Sequence, residues 1–202
     1  MRQIMRGNGI FHRFHRKTVT AITTLKRLLI CLKDALTRTV STRLGAAKLR
    51  TFEPKEGWLY LASVIDHATR HLVGYSFGNR MTLDLVTKAL KKAYENELPN
   101  PGCIFHSDQG SQYCSVAFQA MLLEYNMRSS MSRGQCWDNA PAKSFWATLK
   151  CEVMPLNESF NSRSEVFREV QKWLYHYNGS RAHSKLGGLS PNEFFDRQFT
   201  LK

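Results

Sequence analysis

From residue 51 onward, apolar runs and polar turns follow one another in a regular order. Residues 58–66, WLYLASVID, are rich in strand formers and follow Gly57, which predicts a strand. HATR makes a turn, and HLVGYSF at 71–77 predicts a second strand, so the pair forms a β-hairpin. Residues 81–97 carry apolar positions at Leu83, Val86, Leu90 and Tyr94, which is helical spacing, and Pro99 and Pro101 end that helix. CIFHSD at 103–108 predicts a short strand that runs into a polar turn. A helix follows over 115–126, with Ser115 as its cap and Phe118, Leu122 and Tyr125 on one face. Residues 127–132 predict another short strand, and SRGQCWDNA a polar loop. Pro141 suits a first helical position, so a helix capped by Asp138 or Asn139 runs to about Val153. A last amphipathic helix covers 162–178, before a tail ending in GGLSPNEFF.

This order of hairpin, helix, strand, helix, strand, helix predicts an α/β fold with parallel and antiparallel parts. A hairpin alone buries too little, so a further strand is expected before Trp58. Upstream of residue 51 the pattern dissolves. Residues 1–17 could form a short basic helix interrupted by Gly7 and Gly9, and Leu25–Leu36 a weak amphipathic one. Residues 18–50 show no sustained period of either kind. The expected domains are thus a basic, partly atypical segment over 1–50 and a folded core over 51–202.

Charge sharpens that boundary. The net charge of +13 invites a nucleic-acid partner. Residues 1–50 hold twelve Lys/Arg and one acid, Asp34, whereas 51–202 hold seventeen and fifteen. The basic excess belongs almost wholly to the first quarter. The longest dense apolar run near the N-terminus, Leu28–Leu32, is far short of a membrane span, and no leader pattern is present, so a cytoplasmic protein is expected.

The five cysteines, Cys31, Cys103, Cys114, Cys136 and Cys151, make no Cys-x-x-Cys pair, which argues for reduced, mostly buried thiols. His12/His15 and His67/His71 have helix-compatible spacing for a metal but no acidic or thiol partner nearby in sequence. The richest segment is HSDQGSQY, 106–113. It sets Asp108 at the end of a strand, where sites form in open α/β sheets and where a carboxylate can hold a hard cation. A turn-forming or capping Asp is the other reading.

With QCWDNAPAKSFWATLK at 135–150, these motifs complete a resemblance. SDQGSQY, then SMSR, then CWDNAPA-x-SFW-x-x-LK, resemble the integrase-core transposases of bacterial insertion sequences, OrfB type. EGWLYLASVIDHATRHLVGYS is similar to that family's hairpin, and YHYNGSRAHSKLGGLSPNEFF to its C-terminal signature. The resemblance covers about residues 51–202, and RQIMRGNGI at 2–10 is similar to the end of the segment preceding the core. It implies an RNase H-like integrase core, a mixed central sheet flanked by helices, here preceded by an irregular basic segment.

The resemblance also implies DNA strand cleavage and transfer by two Asp and one Glu holding two Mg²⁺ or Mn²⁺ ions. The second Asp is Asp108. The first, ten residues before Trp58, falls on Lys48, and the Glu falls on Lys143. Two of three carboxylates are thus lysines, and an ammonium repels a dication. Asp66 and Glu152 are the acids nearby in sequence, and neither is expected to substitute. The SRGQC loop is also one residue shorter than the family's common pattern.

The expected function is DNA transposition with impaired catalysis. The alternatives are a non-catalytic DNA-binding or transposase-inhibiting subunit, or the product of a decayed gene whose residues 18–50 are read out of frame. DNA contacts are expected from Arg133, Trp137 and Asn139 in the loop, Lys150 on the following helix, and Arg181, His183 and Lys185 in the tail. Phe145 and Trp146 are expected in the core, and Trp173 and Tyr177 in the core or an interface. The partners implied are transposon-end and target DNA, further copies of the chain, or a transposase protein from an upstream frame. Most of the family's upstream helical DNA-recognition region is expected to be missing.

Overall fold

The computed structural model describes residues 43–52, 54–132, 140–154 and 160–200, by their backbone alone at 43, 45–51 and 198–200. The elements are β1 (Arg43–Phe52), β2 (Leu59–Asp66), β3 (Leu72–Gly78), α1 (Leu83–Glu97), β4 (Ile104–Ser107), α2 (Ser111–Cys114), α3 (Val116–Glu124), β5 (Arg128–Met131), α4 (Ala140–Val153), α5 (Arg163–Gly179), a 3₁₀ turn (Ser184–Leu186) and α6 (Pro191–Thr200). The strands form one sheet in the order β3-β2-β1-β4-β5. The β1–β2 and β2–β3 pairs are antiparallel, and β1–β4 and β4–β5 are parallel.

Helices cover both faces, which is why β2 is apolar nearly throughout. Ala62 and Val64 enter one core with Leu85, Leu90, Phe105, Phe118 and Leu122, under α1 and α3. Leu61 and Ile65 enter the other with Phe145, Trp146, Leu149, Val170 and Trp173, under α4 and α5.

The strand expected before Trp58 is β1, and it lies at the centre of the sheet. The expected boundary near residue 50 therefore falls inside a strand. The period fails there for a local reason. Ala47 pairs with Ser63 but Arg50 pairs with Leu61, so β1 carries one extra residue at Lys48–Leu49. The bulge reverses the alternation: Leu44 packs in the first core and Phe52 in the second, although both are even-numbered. Sheet pairing on both sides, rather than intrinsic pattern, makes this segment a strand.

The helix expected over 115–126 forms at Val116–Glu124 with Ser115 as its cap, the Ser115 Oγ accepting from Phe118 N at 3.3 Å, and the separate short helix α2 precedes it. Tail residues have clear jobs. The Asn178 amide bonds both the N–H and the C=O of Leu72, each at 2.9 Å, which ties α5 to edge strand β3. Ser190 and Glu193 form a reciprocal cap at the start of α6, with Ser190 N donating to Glu193 Oε2 at 2.8 Å and Glu193 N to Ser190 Oγ at 3.3 Å. Among the described residues, no helix is long and apolar enough to cross a membrane.

Candidate functional site

Asp108 follows the last residue of β4, at the carboxyl end of a parallel strand. Its Oδ1 accepts from Gly110 N at 3.0 Å, closing a tight turn that starts α2. The turn role and the strand-end position thus coexist. The parallel register pairs Gly45 with His106. Continued by two residues, it sets Ala47 beside Asp108 and Lys48 next along β1. Helix α4 packs against β1. It buries Ala142, Phe145, Trp146 and Leu149 and leaves Lys143 and Lys150 exposed. Those two lysines are seven residues apart, which is two turns and about 10 Å on one helix face.

β1 thus pairs with the strand that ends just before Asp108, and α4 packs on β1. Arg133, Trp137 and Asn139, and the caps expected at Asp138 or Asn139, lie outside the described residues. So do the helices expected over 1–17 and 25–36, His12 and His15, Cys31 and Cys136. Lys185 is exposed on the 3₁₀ turn. Phe145, Trp146, Trp173 and Tyr177 are buried, in one aromatic cluster.

The other acids have different duties. Asp66 is buried and accepts from Ala68 N at 2.9 Å and Thr69 Oγ1 at 2.8 Å, holding the β2–β3 turn. Glu152 accepts from Trp173 Nε1 at 2.7 Å and from Arg181 Nη2 at 2.9 Å. The Arg181 expected on DNA therefore joins the tail to the end of α4, a contact for which the sequence offers no signal because the partners are 29 positions apart. His67 and His71 lie on and beside the β2–β3 turn rather than on a helix. Among the described residues, no group of three or more His, Cys, Asp or Glu could hold a metal ion. Among the described cysteines, Cys103 is buried, its thiol pushed up to about 11 by burial, whereas Cys114 and Cys151 are exposed, against the expectation of burial. The surface-facing sides of α2 and α4 place them there.

The Arg181 hydrogen bonds, with help from Trp173, hold the Glu152 carboxyl below its ordinary range, against the effect of burial. Burial, then Arg181 and Arg70, hold the His183 imidazole low. Both effects destabilise the fold in acid. A lowered carboxylate stabilises above its unfolded value and loses that contribution as pH falls through its folded value. A histidine kept neutral by burial lets the unfolded state take the proton first, just below the ordinary histidine range. Glu152→Gln is expected to cost about 1 kcal/mol near neutrality. Its melting curve should converge with the wild type's as pH drops below the ordinary glutamate value. A constant gap down to the lowest pH would remove Glu152 ionisation as the cause.

Two models of the integrase core domain match the chain, one over residues 48–135 and one over 125–191. A 31 kDa protein of insertion element IS600 from Shigella sonnei is 39% identical over 168 residues, covering 82% of this chain and 61% of that one. Transposase InsF of insertion sequence IS3A from Escherichia coli K12 is 44% identical over 141 residues, covering 69% of this chain and 49% of its own. The chain therefore spans about half to three fifths of the length of these relatives. Among solved structures, the trimeric form of the HTLV-2 integrase catalytic core with magnesium superposes with a TM-score of 0.60 at 12% identity, over 77% of this chain and 96% of that one. A simian T-cell lymphotropic virus intasome in complex with a PP2A regulatory subunit gives 0.59 at 15%, over 71% of this chain and 50% of that one. These two likenesses establish the RNase H-like integrase fold alone. Fold, motif order and sequence identity agree: the chain belongs to the integrase-core transposases of bacterial insertion sequences.

Proposed function

We propose that this chain takes part in DNA transposition as a core that engages DNA but does not cut it. The observation that carries this reading is the residue set at the carboxyl end of the sheet. Asp108, at the end of β4, is the one carboxylate at the family's three positions, the other two being Lys48 on β1 and Lys143 on α4.

The divalent ions named with the HTLV-2 core do not fit this donor set. Two adjacent dications need several carboxylates to neutralise and orient them. Asp108 offers one, and one of its oxygens already accepts from Gly110. Asp66 and Glu152 are engaged elsewhere, with the β2–β3 turn and with Trp173 and Arg181. Ammonium groups at 48 and 143 would oppose a cation electrostatically.

DNA engagement of the core is supported by Lys143 and Lys150 on the exposed face of α4, and not by the chain's basic excess, which lies almost wholly in residues 1–50. The partners this implies are a DNA duplex and further transposase chains, in keeping with the relatives' names. With Mg²⁺ or Mn²⁺ and supercoiled plasmid, the wild type is expected to nick no faster than Asp108→Ala. Nicking clearly above that control would refute the loss of catalysis.

A further inference from the structure

The end of the sheet opposite Asp108 gathers polar side chains whose hydrogen-bonding capacity is unmet. Leu44 pairs with Asp66 and Arg43 with Ile104, so the β2–β3 turn lies where β4 begins rather than where it ends. The Asn178 amide, bonded to both backbone groups of Leu72 at 2.9 Å, sets this turn against the last turn of α5. Arg70 lies two residues before Leu72 and donates its N–H to Asp66 O at 2.9 Å. Tyr177 adjoins Asn178, and the Arg70 and Tyr177 side chains meet electrostatically. The tail returns to the same place, where the His183 ring packs edge-on to Tyr177 with centroids 4.8 Å apart.

Among the described residues, the buried His183 Nε2 has no hydrogen-bond partner. Nor do the Arg70 guanidinium and the Tyr177 hydroxyl make a hydrogen bond or an ion pair there. Leaving such groups unpaired while they are partly or wholly buried is costly. The nearby acids do not serve them: Glu152 is held by Trp173 and Arg181, and Asp66 by Ala68 and Thr69. We propose that Arg70, Tyr177 and His183 form a binding site for a phosphate group, free or in a DNA backbone. A guanidinium fork matches phosphate oxygens. Burial raises the Tyr177 phenol to about 12, so its hydroxyl stays a donor. The imidazole donates from Nε2 only when protonated there. The charged groups facing it are Arg70 of the turn, Glu152 of α4 and Arg181 beside it. A bound phosphate offsets the two arginines, so binding takes up a proton and strengthens as pH falls through the histidine range. The carboxyl end of α5 opposes an anion with about half a unit charge, which the full charge of Arg70 outweighs.

Two measurements on the full chain in EDTA test the site. In the first, histidine ring NMR signals are followed as inorganic phosphate is added at constant ionic strength, with His183 assigned from His183→Gln. In the second, affinity for a mixed-sequence duplex is measured by fluorescence anisotropy over a salt series in phosphate-free buffer. The first is independent of the DNA reading above, and the second rests on it. Phosphate is expected to shift the His183 signal and raise its titration midpoint in the wild type, and to do neither in Arg70→Gln. Arg70→Gln is expected to bind duplex about tenfold more weakly. It should also lower the slope of log affinity against log salt by about one, the signature of a lost phosphate contact. Lys88→Gln, on the exposed face of α1 and paired with Asp84, should change neither. A phosphate response alone identifies the ligand as free phosphate, and a duplex effect alone identifies it as the DNA backbone; either supports the site. A phosphate response in a wild type that binds no duplex would sink the DNA reading and leave the site standing. The site itself is overturned by a wild type that gives no phosphate response and either binds no duplex or binds it no better than Arg70→Gln does.

Discussion

The Lys48→Asp, Lys143→Glu double variant is expected to nick plasmid DNA in Mg²⁺ or Mn²⁺, on the order of a thousandfold above the Asp108→Ala background. Each single change should stay at background. The reason is cooperative. One restored acid still faces one ammonium, so the site cannot hold two dications, and two-metal chemistry needs both the attacking and the leaving oxygen stabilised together. Asp108 lies at the end of β4, β1 passes beside it, and α4 packs on β1. The Glu152–Arg181–Trp173 contacts hold the far end of α4 to α5 and the tail. If the double variant binds Mg²⁺ but stays silent, the damage extends past the carboxylates. The bulge at Lys48–Leu49 would be the first place to look, since one extra residue decides which sheet face each side chain of β1 meets.

Gly74→Val is expected to destabilise the fold by roughly 3 kcal/mol, with a melting temperature about 10 °C lower. A Cβ at position 74 would sit 2.4 Å from Ala89 O and 2.6 Å from Ala93 N. Both are backbone atoms of α1, so no side chain can rotate away, and the helix must lift off β3. That lift opens the core formed by Val73, Leu85, Ala89, Leu90 and Ala93. A loss of 3 kcal/mol is a large share of the stability of an ordinary domain. Gly179→Ala is the control: nothing lies within 4 Å of a Cβ there. At the end of α5 that change should be neutral or slightly stabilising. A Gly74→Val protein that melts like the wild type would mean that α1 does not approach β3 this closely in solution.

Much of the fold was legible because the periods were clean. The hairpin, expected at 58–66 and 71–77, forms at Leu59–Asp66 and Leu72–Gly78. The helix expected over 81–97 starts at Leu83, and the one expected over 162–178 is Arg163–Gly179. Each has an apolar face that repeats at helical spacing, or a β-branched and aromatic run bounded by turns, and tertiary packing had only to accept it. The reciprocal cap of Ser190 and Glu193 was not among the expectations, although a Ser followed three residues later by Glu is a sequence signal for one. Asp108 could be placed at a strand end, but its bond to Gly110 could not be read from spacing alone.

What the chain's own pattern determined is therefore the set of local elements and their order, which follow from side-chain periodicity and composition acting over a few residues, while the residues at the family's three acidic positions are what the motif resemblance implies. Only the tertiary structure decided that residues 43–52 are the central strand, because that strand is specified by partners on both sides and interrupted by a bulge that scrambles its alternation. Only it decided that Glu152 holds Arg181 and Trp173, and that Asp66 holds a turn, so that neither is available as a substitute ligand. Contacts between residues far apart in sequence carry no local period. They exist when the sheet brings its partners together, and that assembly is what engages Asp66 and Glu152 where they lie.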